Sequence, residues 1–98
     1  MQEIYLNRNY LANIDALNHL TKLRKISAND NYIASVNLLL PQLRELDLRN
    51  NFLDRIPSLK DLPLLRSLNI SNNKVQIIKL LIHEQNLRNL ECLDLQNN

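Results

Sequence analysis

One eleven-residue pattern recurs five times along this 98-residue chain, and a chain written that way must stack like units side by side instead of wrapping around one central core. MQEIYLNRNYL covers residues 1 to 11, LRKISANDNYI covers 23 to 33, LRELDLRNNFL covers 43 to 53, LRSLNISNNKV covers 65 to 75, and LECLDLQNN covers 90 to 98. The ninth position is always asparagine: Asn9, Asn31, Asn51, Asn73 and Asn98, separated by 22, 20, 22 and 25 residues.

Within each unit the alternation of Leu46, Asp47 and Leu48 sends leucine to one side of an extended strand and aspartate to the other. The leucine side faces the core. That core must be aliphatic, because hydrophobic residues make up 45% of the chain but aromatics only 4%. Between strands the apolar spacing changes from two to three, as in Leu11, Ile14, Leu17, Leu20 and Leu23, and again in Leu53, Ile56, Leu59, Leu62 and Leu65. Period three suits short 3₁₀ or irregular turns, and Pro57 and Pro63 exclude a long helix in the second example.

These patterns predict an α/β solenoid in a single domain over residues 1–98, with units starting near 1, 23, 43, 65 and 90 and the last one incomplete. A curved parallel sheet forms its concave side, and 3₁₀ or short helical returns form its convex side. The asparagines are expected to serve as scaffold. Where a strand ends inside the protein its backbone groups lose their partners, and a side chain that donates and accepts can join one turn to the next.

The units also resemble a known family. They match L-x-x-L-x-L-x-x-N-x-I-x-x-I-x-x-L-x-x-L, the 22-residue class of leucine-rich repeats typified by a regulatory subunit of protein phosphatase 1. An outer-arm dynein light chain, a spliceosomal ribonucleoprotein subunit and bacterial internalins look similar. The resemblance implies binding of another protein on the concave sheet, a scaffold or regulatory role, and no catalytic residue. It leaves an assembly role in an axonemal or ribonucleoprotein complex as the alternative, with contact through the long return near residues 79–89.

Unit lengths are uneven. The second unit is short around LLLPQL, residues 38 to 43, which predicts a tight return turned by Pro41. The fourth is long through VQIIKLLIHEQNLRNL, residues 75 to 90, where Leu80, Leu81, Glu84, Leu87 and Arg88 suit a helix. Bacterial surface members keep their lengths uniform, so the unevenness implies a eukaryotic intracellular protein. The last unit stops at Asn98 before its return, which gives the expectation of a longer repeat protein, or of another segment capping the final layer.

Strand geometry places positions 3, 5 and 7 of every unit opposite the core. The candidate contact residues there are Tyr5, Lys25, Glu45, Asp47, Arg49, Asn69 and Asp94, a polar set of mixed charge. Tyr5 and Arg49 stand out because aromatics and arginine dominate binding hot spots.

Other chemistries find little support in the sequence. A net charge of +2 without a basic block argues against direct nucleic-acid binding, since the cluster of Lys22, Arg24 and Lys25 has few aromatics beside it for stacking. Without glycine there is no phosphate-binding loop, and His19 and His83 lie far apart, so neither a cofactor nor a metal is expected. Asp47 and Asp94 stand two units apart in one column, and Cys92 has no histidine to activate it. Asn69-Ile70-Ser71 matches a glycosylation acceptor but falls within a strand. No apolar run approaches the roughly 20 residues of a membrane span. The lone cysteine excludes an internal disulfide, and MQEIYLNRNY lacks the pattern of a signal peptide, which together favour an intracellular, chiefly cytoplasmic, location.

Overall fold

The computed structural model describes residues 2–76 and 90–98. Five three-residue strands, β1 (Glu3–Tyr5), β2 (Lys25–Ser27), β3 (Glu45–Asp47), β4 (Ser67–Asn69) and β5 (Cys92–Asp94), lie side by side in chain order as one parallel sheet. The register is one repeat per step: Glu3 pairs with Lys25, Glu45, Ser67 and Cys92 along one column, and Tyr5 with Ser27, Asp47, Asn69 and Asp94 along the next. Matching positions in units of unequal length thus fall into one column in space.

The middle residue of each strand turns inward. Ile26, Leu46 and Leu68 are at most 1% exposed, while Ile4 and Leu93, in the first and last strands, are only partly covered. Return residues Leu40, Leu59 and Leu62 close the core from behind, with Leu23, Leu43 and Leu65 at the entry to the next strands. Aliphatic side chains at matching heights fill each layer without an aromatic among them.

The convex side is less regular. The first return holds a 3₁₀ helix, Asp15–His19, as the period-three spacing suggests. The second has no helix: residues 33–40 carry no regular secondary structure and lead to a turn at Pro41 and Gln42. Side chains of the first return stand in for a neighbouring strand, since Asn37 N–H donates to Asp15 Oδ1 (2.9 Å), Leu39 N–H to Asn18 Oδ1 (2.8 Å), and Asn18 Nδ2 to the Asn37 carbonyl (3.0 Å). The third return, which carries Pro57 and Pro63, is also non-helical. The helix expected through Leu80, Leu81, Glu84, Leu87 and Arg88, and the alternative contact near 79–89, lie outside the described residues.

At the strand exits the five asparagines differ only in how completely they are used. Asn51 Nδ2 donates to the carbonyls of Leu48 (2.8 Å) and Arg49 (3.1 Å) in its own unit and of Ala28 (3.0 Å) in the unit before, while its Oδ1 accepts from Ile33 N–H (3.1 Å). Asn73 repeats this with Ile70, Ser71, Leu48 and Leu53, and Asn98 with Leu95, Gln96, Ile70 and Val75. Asn31 does the same with Ala28, Asn29 and Leu6, and its oxygen accepts from both Asn9 N–H and Leu11 N–H. The carbonyls of Ala28, Leu48 and Ile70 each therefore take one amide from their own unit and one from the next. Asn9, in the first unit, is exposed, and its side chain donates to the Asn7 carbonyl.

The residue before each of these asparagines has positive φ: Arg8 (60°), Asp30 (60°), Asn50 (57°), Asn72 (55°) and Asn97 (59°). Left-handed backbone is costly for most residues and mildest, after glycine, for Asn and Asp. A chain with no glycine uses those residues in four of five places.

Candidate functional site: the concave sheet and its rim

The outward columns of the sheet carry two linked groups of side chains. In the first, Tyr5 OH donates to Glu3 Oε1 (2.7 Å), Lys25 Nζ sits 5.4 Å from the centre of the Tyr5 ring, and the same ammonium pairs with Glu45 at 3.6 Å. Tyr5 and then Glu45, with a smaller pull from Glu3, raise the Lys25 pKa above its ordinary 10.5. The second group lies one column over. Arg49 Nε is 3.8 Å from Asp47 Oδ2, and the amide orientation of Asn29 that satisfies its neighbours donates to the Asp47 carboxylate and accepts from the Arg49 guanidinium (3.2 Å).

Of the seven residues expected to make contact, Tyr5, Lys25, Glu45 and Arg49 present substantial surface, with Tyr5 58% exposed. The other three share a different task. Asp47 Oδ1 accepts from Arg49 N–H (3.3 Å), Asn69 Oδ1 from Ser71 N–H (3.0 Å), and Asp94 Oδ1 from Gln96 N–H (3.0 Å). Each ends its own strand by an Asx-type bond two residues ahead. In the second unit Ser27 occupies that position, and Asn7 of the preceding unit supplies the acceptor for Asn29 N–H (2.8 Å) and for Ser27 Oγ (3.0 Å). Ser27 and Asn29 are buried as a result.

Beyond the asparagines lies a feature that strand alternation does not point to. Tenth-position Tyr10, Tyr32 and Phe52 form a stacked row along the rim, with ring centres 5.7 Å and 5.6 Å apart and planes inclined by 27° and 11°. Lys74, at the same position of the fourth unit, places Nζ 5.7 Å from the centre of the Phe52 ring. The rings remain 78%, 49% and 45% exposed and wall a groove of about 490 Å³, whose other side is Arg8, Asp30 and Asn50. The signal was present in the sequence as NYL, NYI and NFL after successive ladder asparagines, but those residues lie beyond the strand, where period two no longer says which way a side chain points.

Residues 41–83 match the family model for Leucine Rich repeats (2 copies). Five parallel strands at that repeat spacing, with one short 3₁₀ helix behind them among the described residues, complete the assignment of the fold. The chain's fold is that of a leucine-rich-repeat solenoid. No curated protein and no solved structure matches it. Leucine-rich repeats generally mediate protein–protein interaction and are typically non-catalytic. Among the described residues, no three His, Cys, Asp or Glu side chains gather where they could hold a metal ion, and no helix is long and apolar enough to cross a membrane. Cys92 is exposed, with a free thiol, at the start of β5.

Proposed function

We propose that this leucine-rich-repeat solenoid is a non-catalytic module that binds another protein on its concave sheet, with Tyr5, Lys25, Glu45 and Arg49 as the contacting side chains. Asp47 acts by holding Arg49, and Asn69 and Asp94 by shaping the strand exits on which the surface depends. The observation that carries this reading is the paired network across β1, β2 and β3. Its long side chains already occupy one arrangement, so a partner has few rotamers left to order, each of which otherwise costs about 0.5–1.5 kcal/mol. Its mixed charge suits a partner that brings both signs rather than a polyanion.

Resemblance to the phosphatase-regulatory and dynein-light-chain type supports a scaffold or regulatory subunit inside the cell. A single cysteine, unable to form an internal disulfide, fits the same compartment. The test is affinity purification with the intact chain and with Tyr5→Ala, Glu45→Ala and Arg49→Ala. A partner recovered by the intact chain should be lost from these variants while their melting temperatures stay close to that of the parent. A partner retained by the triple variant would move the contact off the concave sheet.

A further inference from the structure

We propose that the rim groove beneath Tyr10, Tyr32 and Phe52 is a second docking surface, separate from the concave sheet, that takes a proline-rich segment in the polyproline II conformation. The occupant follows from what the rim offers and what it withholds. The amide N–H groups of Tyr32, Phe52 and Lys74 are committed to the carbonyls of Leu11 (2.7 Å), Ile33 (2.8 Å) and Leu53 (2.7 Å). A peptide therefore cannot add here as a strand, since the N–H groups it would need are taken.

Recognition must run through side chains, and those that are open mostly donate. The Tyr10 and Tyr32 hydroxyls have no hydrogen-bond partner among the described residues, and the Arg8 side chain is 84% exposed. The groove's one carboxylate, Asp30, already takes the Asn50 amide (2.8 Å) and lies 3.8 Å from Arg8 Nε. Asn31, which forms the floor, is spent on the backbone bonds described above. A groove whose open hydroxyls and guanidinium can all donate suits a ligand rich in acceptors. Proline has no N–H to satisfy, and a polyproline II chain leaves its carbonyls pointing outward.

Length and shape agree. Like-facing residues of polyproline II recur about every 9 Å, so little more than one turn lies along the row of three rings, which are stepped by 5.7 Å and 5.6 Å. Because the rings cover one another's faces, they offer ridged edges, against which pyrrolidine rings can pack from the side. Flat ligands that insert between rings would first have to break the stack. Pre-formed polyproline II also loses little entropy on docking, which suits a shallow site.

The experiment is fluorescence-anisotropy titration of the intact chain with a labelled oligoproline, and with a glycine–serine peptide of equal length as reference. Saturable binding of oligoproline alone is expected, weakened about tenfold or more by Tyr32→Ala, as for a central aromatic anchor. Tyr32→Phe, which keeps the stack and removes the hydroxyl, should lose less than Tyr32→Ala. Circular dichroism of both variants establishes that the sheet is intact. No saturation at millimolar protein, equal binding of the glycine–serine peptide, or full affinity in folded Tyr32→Ala would each overturn the proposal. None of these outcomes bears on the concave partner, which the oligoproline does not report.

Discussion

The concave sheet and the exit rim are built by the same repeat, yet they treat their side chains in opposite ways. On the sheet, Glu3, Tyr5, Lys25 and Glu45 satisfy one another, as do Asn29, Asp47 and Arg49. On the rim, Tyr10, Tyr32 and Phe52 stack on one another but leave edges and two hydroxyls to solvent. The difference follows from backbone geometry. Strand positions in register sit about 4.8 Å apart with side chains parallel, so unlike charges meet across them. The rim follows a left-handed residue that swings the chain out of the sheet, and long side chains, three rings and the Lys74 ammonium, reach their counterparts there.

Both surfaces hang on one joint, and breaking it should have the largest effect. Asn51→Leu leaves Ile33 N–H without its acceptor inside the protein and takes a donor from the carbonyls of Leu48, Arg49 and Ala28. At about 1–3 kcal/mol for an orphaned buried group, plus weakened neighbours, the loss should be about 3 kcal/mol. Urea denaturation would measure it. Asn50→Ala, one residue earlier and exposed, should lose only the left-handed preference and the bond to Asp30, about 1 kcal/mol. Equal losses at the two positions would mean that Asn51 contributes no more than its neighbour, and that the sheet and rim are held by something else.

These two adjacent asparagines also mark how much could be read from the sequence. The strand register, the aliphatic core and the parallel sheet follow from leucine spacing alone, because period two leaves one face for burial. Asn51 was separable from Asn50 only by its recurrence in every unit. The roles of Asn69 and Asp94 were not legible in that way: period two turns them outward, but whether an outward carboxylate meets a partner or caps its own backbone depends on the local turn. The rim was missed for a similar reason. Its direction is set by the positive φ at Arg8, Asp30 and Asn50, and in a chain without glycine only the weaker preference of Asn and Asp marks that conformation, a preference Arg8 does not share.

The rim itself supplies a sharper test of the left-handed exits. Asn72→Gly should be nearly neutral, because glycine accepts the 55° φ and loses only chain entropy, whereas Asn72→Val forces a branched side chain into it. The valine variant should be less stable than the glycine variant by about 1–2 kcal/mol. A smaller difference would show that the exit relaxes to a right-handed path, in which case Lys74 would not keep its place over the Phe52 ring.

Next in size is the ring row. Tyr32 is the central ring, and Tyr32→Ala removes both stacked contacts. Aromatic pairs contribute about 0.5–1.5 kcal/mol beyond burial, and exposure keeps this site near the lower end, so a loss of about 1 kcal/mol is expected in the same denaturation experiment. A loss as large as that of Asn51→Leu would make the rim part of the scaffold. It would also erase the contrast with the sheet, because the rings would then be there for stability rather than for display.

The smallest effect is expected on the concave side, at Lys25. Tyr5 first, then Glu45, favour its charged form, so its folded pKa lies above the unfolded value of 10.5. A raised pKa means that folding is favoured by the protonated ammonium: the contribution is complete below pH 10.5 and fades as pH rises through the folded value. The ammonium lies at the solvent surface on a side chain that is 36% exposed, so the stabilisation is slight and further screened by salt. Lys25→Met should therefore melt slightly below the parent by an amount that is constant near neutral pH, shrinks in salt, and closes only in strong alkali. A gap that closed already near neutral pH would implicate a different titrating group. A large, salt-insensitive gap would mean that the lysine stem supports β2 by packing, and that the concave network is part of the scaffold rather than a set of charges poised for a partner.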